Sequence, residues 1–232
     1  YHRYVLGLYE MQERMLNDFP HILLENCSSG GGRFDPGMLY YSPQIWSSDN
    51  TDAIDRLRIQ EGTALIYPLS AMGAHVADCP SHSNGRVTPF ETRGYVALAG
   101  TFGYELDATK LKKKEIRACK KMSDLYHKYY DLNFFGDYYR LANPFEQVNL
   151  VAWECVAKDK SEALVTVITV NLTVNGPQEY IKCKGLEPDK YYRVEGGTGR
   201  LTASGMALMH AGLPIPREIP EYTAFIYHLV EI

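Results

Sequence analysis

No CxxC pair occurs in the 232 residues. The five cysteines, Cys27, Cys79, Cys119, Cys155 and Cys183, are odd in number and widely spaced. That usage suggests neither a zinc site nor a disulfide framework, and a reducing compartment, the cytoplasm, is the expectation. No apolar run approaches membrane-spanning length, so no membrane partner is expected. No strongly basic stretch is large enough for a nucleic-acid surface, and net charge is −4. The densest run, Lys112-Lys113-Lys114, reads as a solvated helix face. No signal peptide is visible, and the chain does not begin with Met. Tyr1 already lies inside a helical pattern, so the expectation is a piece of a longer polypeptide.

What is present is ordinary globular composition, 45% hydrophobic and 22% charged, enough for one large or two small domains. Tyrosine is abundant at 18 residues. Aromatic faces line sugar sites, but they also fill half-wet cores, so the count decides nothing.

Tyr1, Tyr4, Leu8, Met11 and Met15 recur at spacings of three and four, the stripe of an amphipathic helix ended by Asn17-Asp18-Phe19-Pro20. Residues 21–24 read as a short buried strand, followed by the loop Ser28-Ser29-Gly30-Gly31-Gly32. Residues 44–46 read as a second strand. Thr51 or Asp52 caps a helix over 53–61 that ends at Gly62, with Asp55 in the capping-box position. Residues 64–69 read as a third strand and 78–89 as a long loop. Residues 90–99 read as helix or strand, with helix favoured, and a strand over 101–106 and a long helix over 111–129 follow. Strand–loop–helix units in series predict an α/β layout with a parallel sheet.

After about Phe134 the β signals dominate: 148–153, 164–172, 178–183, 191–194 and 222–230. Asn175-Gly176-Pro177, Glu187-Pro188-Asp189 and Gly196-Gly197-Thr198-Gly199 separate them. This is the pattern of an antiparallel β-sandwich. The boundary is placed near Asn143-Pro144, giving units of 1–142 and 143–232.

In parallel α/β sheets the reactive groups lie on loops that follow the strands. Asp49 and Asp52 follow the second strand. Asp52 stands where a helix cap is wanted. Asp49 reads in two ways. A turn aspartate bonding its own backbone is the reading that spacing favours. The other is a carboxyl desolvated by Trp46, its pKa raised for general-acid work. The glycine loop is neither a P-loop nor GxGxxG. It suits close backbone approach to a ligand or a mere tight connection. Cys27 has no histidine in a catalytic pattern beside it and reads as an inert or pocket-lining thiol. His75 and His82 flank Asp78 and Cys79, but the spacings fit no common metal motif. Asn26-Cys27-Ser28 and Asn171-Leu172-Thr173 match the glycosylation sequon, a frequent chance pattern.

One long block carries more: LLENCSSGGGRFDPGMLYYSPQIWSSDNTDAIDRLRIQEGT, residues 23–63. With YPLSAMGAHV (67–76), TRGYVALAGTFGYELD (92–107) and HRYVLGLYE (2–10), it resembles the retaining α-galactosidases of glycoside hydrolase family 36. The resemblance implies the C-terminal half of a (β/α)₈ (TIM) barrel followed by the β-sandwich. It implies Asp49 as general acid/base, and Asn26, Cys27, Gly30 and Trp46 around the bound galactose. The family's nucleophile lies in a Lys-Trp-Asp-type motif, which this sequence lacks. The expectation is therefore a parent enzyme that releases terminal α-linked galactose from melibiose- or raffinose-type oligosaccharides, with this chain inactive alone. No metal and no cofactor are expected. Expected partners are α-galactosides, the remaining N-terminal part of the enzyme and further copies of it. The rivals are a related glycosidase for another sugar and a non-catalytic carbohydrate-binding or assembly fragment.

Overall fold

A computed structural model of the chain describes residues 1–27, 29, 32, 34–146, 149–171, 175–197, 199–217 and 219–232. The first part is helix α1 (His2–Asp18), then β1 (Glu25–Asn26), α2 (Pro36–Tyr41), β2 (Gln44–Ile45), α3 (Ala53–Ala64), β3 (Gly73–Ala77), α4 (Phe90–Ala97), β4 (Thr101–Glu105), α5 (Lys113–Lys128) and α6 (Tyr130–Phe135). The second part is β5 (Asp137–Ala142), β6 (Leu150–Val156), β7 (Glu162–Thr169), β8 (Tyr180–Ile181), β9 (Tyr191–Gly196), β10 (Gly199–Ser204), α7 (Gly205–His210), β11 (Leu213–Pro214) and β12 (Ala224–Glu231).

β1 pairs parallel with β2, and β3 parallel with β4. A parallel bridge from Ile45 to Met72 joins the two pairs. The four strands thus lie in chain order with a helix on each crossover, the arrangement that parallel pairing demands. Their C-terminal ends share one edge.

β5, β6, β7, β12, β9 and β10 form one six-stranded antiparallel sheet, and β8 pairs with β11. This fits the sandwich expectation at the level of an antiparallel β unit. Burial on both faces explains why β6 and β7 are mostly apolar, with Glu154, Thr166 and Thr169 as buried polar exceptions. Leu150, Ala152, Val165, Val167, Tyr227 and Leu229 face a core shared with Ile181, Leu208 and Leu213. Val151, Trp153 and Ile168 face the other way and pack on Ile54, Leu57 and Val96 of α3 and α4. Cys155 and Leu164 meet Tyr129 and Leu132 beside and within α6. Helices of the first part therefore cover one face of the sheet.

Several expectations are corrected. Residues 21–24 are not a strand and not buried; Leu23 is 90% exposed. The ladder starts at Glu25 because its partner strand starts at Gln44. Residues 64–69 are the end of α3 and a turn, with Leu65 and Ile66 exposed. The third strand is Gly73–Ala77, beyond the 64–69 segment where it is expected. α3 passes through Gly62 to Ala64. In α1 the stripe is rotated: Tyr1, Tyr4 and Met11 are exposed, while Val5, Leu8, Tyr9, Gln12, Met15 and Leu16 turn inward. The expected 178–183 strand shrinks to Tyr180–Ile181, while β5, β10, β11 and α7 were not foreseen. Gly196, Gly197 and Gly199 take positive φ in the β9–β10 turn, the conformation glycine tolerates. Ser28, Gly30, Gly31, Val148, Leu172, Thr173 and Thr198 lie outside the described residues.

Candidate active site

The loop after β2 is fixed nearly everywhere except at Asp49. Asn50 N–H donates to Ser48 Oγ at 3.1 Å, and Asp52 N–H donates to Asn50 Oδ1 at 3.0 Å. Asn50 Nδ2 donates to Asp55 Oδ2 at 2.8 Å. Asp52 caps α3, accepting from the N–H groups of Ile54 at 3.1 Å and Asp55 at 2.9 Å. The cap reading of Asp52 holds, and burial of its side chain is compensated by Arg86. Asp55 does not close a capping box; Asn50 and Arg86 take its oxygens. Asp49 itself is exposed and makes no hydrogen bond or ion pair with a described residue. The turn-aspartate reading therefore has no bond to stand on.

Beneath the loop lies Arg56, among the most buried side chains at 2% exposure. It donates to Ser47 Oγ and to Ser48 O, each at 3.3 Å, and to Gly73 O at 2.7 Å. Its guanidinium carbon lies 4.4 Å from the Trp46 ring centroid. Burial pushes this group down to about 10, against the opposing pull of Glu105. Carbonyl oxygens and an aromatic face thus replace water around the charge. His75 stacks on Trp46 at 4.5 Å between centroids. The indole is thus engaged by Arg56 and His75, and it leaves Asp49 exposed. The expected desolvation of Asp49 by Trp46 is not what the structure has.

Gly73 makes this packing possible: a Cβ there would sit 2.9 Å from the Trp46 ring. Gln44 donates to Glu25 Oε1 at 2.7 Å, and His75 Nδ1 lies 3.5 Å from Glu105 Oε2. Glu25, Gln44, Trp46, His75 and Glu105 thus make a polar face on the parallel strands.

At the end of β1, Asn26 is buried and accepts the Trp46 N–H at 2.8 Å through its carbonyl. Its Nδ2 is buried without a hydrogen-bond partner among the described residues. Cys27 is exposed with a free thiol. Gly30 lies outside the described residues. Asp35 caps α2 by accepting from Met38 N–H at 2.9 Å, and Tyr9 of α1 donates to it at 2.5 Å. That bond holds the Tyr9 phenol up at about 12. His82 is exposed and apart from this face. No group of three or more metal-ligating residues occurs among the described residues. The sequence reading missed Arg56 and Arg86. Arg56 carries a usable signal, since it falls on the inward stripe of α3 with Ala53, Leu57 and Gln60.

A polar face at the C-terminal ends of parallel strands, with one free carboxylate on a pinned loop, suits acid/base chemistry on a hydroxyl-rich ligand. The melibiase family model matches residues 1–136, and the model of the glycosyl hydrolase family 36 C-terminal domain matches 150–229. This chain is a member of glycoside hydrolase family 36. Among its family 36 relatives, the α-galactosidase AgaA of Geobacillus stearothermophilus is 49% identical over 98% of this chain and 31% of its own length. The bifunctional α-galactosidase/sucrose kinase AgaSK of Mediterraneibacter gnavus is 49% identical over 99% of this chain and 24% of its own length. A crystal structure of an AgaA variant in complex with raffinose superposes with a TM-score of 0.94 at 48% identity, over all of this chain and 32% of that one. The chain spans about a third of AgaA and less of AgaSK.

Proposed function

We propose that this chain supplies one half of the catalytic centre of a retaining α-galactosidase acting on raffinose-type oligosaccharides. The observation that carries the proposal is Asp49: an exposed carboxylate without partners among the described residues, on a loop whose neighbours are pinned, at the end of a parallel strand. A raffinose-bound relative at 48% identity supports the substrate class.

In this reading the four parallel strands are half of a (β/α)₈ barrel. The second unit is a β-sandwich that begins with β5, so the units divide just before Asp137, a few residues ahead of the expected Asn143. Asp49 protonates the departing glycosidic oxygen and then removes a proton from the incoming water. A second carboxylate, from residues outside this chain, forms the glycosyl-enzyme. Retaining enzymes hold two such groups about 5–5.5 Å apart. Asn26, Cys27, Gly30 and Trp46 form the sugar wall. The buried Asn26 Nδ2, without a hydrogen-bond partner among the described residues, is a donor open to a hydroxyl. Trp46 cannot swing freely, because Arg56 and His75 hold its ring. No step of this scheme needs a metal or an organic cofactor.

The test uses Asp49→Ala in the complete enzyme that carries this chain. Raffinose should be hydrolysed about 10²–10⁴-fold more slowly. A nitrophenyl α-galactoside, whose leaving group needs no proton, should form the glycosyl-enzyme almost normally. Azide should then accelerate turnover by displacing the enzyme carboxylate, giving the α-galactosyl azide, the configuration that two inversions retain. Equal losses on both substrates without azide rescue would remove Asp49 from this role.

A further inference from the structure

The Asp49 loop is also held from the side, and that hold reaches the antiparallel sheet. Arg86 sits in the 78–89 connection after β3. This connection closes on itself: Ser81 N–H donates to Arg86 O at 2.9 Å, and Gly85 N–H to Ser81 O at 2.8 Å. Arg86 N–H donates to Asn84 Oδ1 at 2.9 Å. The loop thus presents Arg86 in a fixed direction. Its guanidinium pairs with Asp52, the α3 cap, and lies 3.1 Å from Asp55 Oδ1. Asp55 in turn accepts from Asn50, the residue next to Asp49.

The guanidinium also lies over Tyr222, 5.5 Å from the ring centroid. Tyr222 is in the turn that leads into β12, and its φ is +59°. A bulky residue adopts that conformation at a cost, and only where its surroundings fix it. They do so here. Tyr222 N–H donates to Thr169 O at 2.8 Å. Tyr222 O accepts from Thr92 Oγ1 of α4 at 2.6 Å, and Thr92 Oγ1 in turn accepts from Ala224 N–H at 3.2 Å. A glycine would make this turn without strain. The tyrosine places an aromatic face against Arg86.

We propose that Arg86 and Tyr222 are positioning residues for Asp49. Through them the antiparallel sheet holds the acid/base loop in register with the parallel strands. This inference rests on the acid/base reading of Asp49. Neither residue is among the groups assigned to the sugar wall. They act through Asp52, Asp55 and Asn50. Proton transfer to a departing oxygen depends steeply on placement, so loosening the loop should affect the steps that need the proton and spare binding.

Kinetics of variants in the complete enzyme test this. Arg86→Ala should lower kcat on raffinose by up to about 10²-fold, the size of effect a 1 Å misplacement produces. KM should hold, and turnover of the nitrophenyl α-galactoside should fall little. Arg86→Lys keeps the charge but not the planar fork that serves two carboxylates and a ring, so it should recover part of the loss. Tyr222→Gly accepts the positive φ, deletes the ring, and should shift the same ratio in the same direction by less. Asp49→Ala is measured alongside. If Asp49→Ala changes the raffinose-to-aryl ratio but the Arg86 and Tyr222 variants leave it at the parental value, the positioning inference is overturned and the acid/base reading stands. Equal losses on both substrates that track a lowered Tm would also overturn it, as a purely structural role would give that result. If Asp49→Ala leaves the ratio unchanged, the acid/base reading falls, and this inference with it.

Discussion

The parallel strands run two, two, five and five residues, and the six strands of the large antiparallel sheet run six to eight. The central strands β6 and β7 of the antiparallel sheet are buried on both faces, one under β8, β11 and α7, the other under helices of the first part, while β9 and β10 keep an exposed face. The parallel strands bury one face and leave the other lined with Glu25, Gln44, Trp46, His75 and Glu105. The same hydrogen-bonding physics has been put to two uses. Where both faces are apolar and covered, the chain gains stability. Where polar groups converge at strand ends, the chain gives up burial and gains chemistry. The two uses are not segregated. Trp153 packs on Ile54 and Leu57 of α3, whose cap is pinned beside Asp49.

The largest effect expected is the loss of catalysis when the chain stands by itself. The carboxylates near the strand ends are mostly committed elsewhere: Asp35 to Tyr9 and Met38, Asp52 to Arg86 and the α3 cap. Asp107 accepts from Thr109 and pairs with Lys110, which together hold it down at about 2. The sequence has no Lys-Trp-Asp motif. The 232 residues alone should therefore turn over a nitrophenyl α-galactoside at least about 10⁴-fold more slowly than the complete enzyme, as loss of an essential group does. Turnover near that of the complete enzyme would dissolve the contrast, because the chain would then carry both carboxylates.

Next in size are two core truncations on opposite faces of the sheet. Leu229 is fully buried toward β8 and β11, and Trp153 is 7% exposed toward α3 and α4. Leu229→Ala should cost about 2–5 kcal/mol and Trp153→Ala about 3–5 kcal/mol. If the helices and the sheet unfold as one unit, both variants lower a single denaturant transition. Two separate transitions, with only one moved by Leu229→Ala, would show that the shared face does not couple the parts.

How much of this was legible in the sequence follows the range of the forces involved. The Asp52 cap was readable because a cap is local: one side chain and two N–H groups within three residues. The third strand was misplaced because Leu65 and Ile66 look like strand residues, yet both are exposed. The strand that forms, Gly73–Ala77, is made largely of small residues. Its composition answers to neighbours far away in sequence, since Gly73 must leave room for Trp46. β6 and β7 were visible as apolar runs, but not that helices of the other part cover one of their faces. Arg86 lay in a stretch rich in Ser, Gly and Asn and looked like loop. Its partners Asp52 and Tyr222 are brought to it only by the tertiary fold. The family resemblance, which rests on blocks of sequence, reached the right family without that geometry.

A third prediction concerns pH and the sheet alone. Glu154 in β6 is fully buried on the face toward Cys183 and Lys184. Burial pushes its carboxyl from 4.5 up to about 7, although the Lys184 N–H at 2.7 Å and the Cys183 thiol oppose this. The folded pKa is above the unfolded one, so the folded state keeps its proton longer. The corresponding stability is fully present below about 4.5 and is lost as pH rises through about 7. At about 1.4 kcal/mol per unit, the loss is on the order of 3 kcal/mol. Urea midpoints at pH 5 and pH 8 should show it. Glu154→Gln should flatten the change and be the more stable form at pH 8; a slope unaltered by that substitution would assign it to other groups.

The smallest effect expected falls on the α3 cap, where the two parts meet. Asp52→Ala removes the acceptor for the Ile54 and Asp55 N–H groups, which should cost about 0.5–2 kcal/mol. It also removes one of the two carboxylates that face Arg86. Breaking a buried pair costs more when the remaining charge is stranded. Arg86 is not stranded, because Asp55 stays 3.1 Å away and the arginine side chain is 27% exposed. The total should therefore stay near the upper end of the cap range. Asp52→Asn separates the two contributions, since asparagine caps about as well as aspartate but carries no charge. Its cost should be less than half that of the alanine variant. In the complete enzyme, chemistry should be largely retained in both, since Asp55 still links Arg86 to Asn50. Denaturant unfolding of the two variants gives the stability terms, and raffinose turnover gives the catalytic one. If Asp52→Ala abolished turnover in a folded enzyme, the roles assigned to Asp49 and Asp52 would have to be exchanged. If Asp52→Asn cost as much as Asp52→Ala, the cap would be secondary and the charge facing Arg86 would be what joins the sheet to the loop.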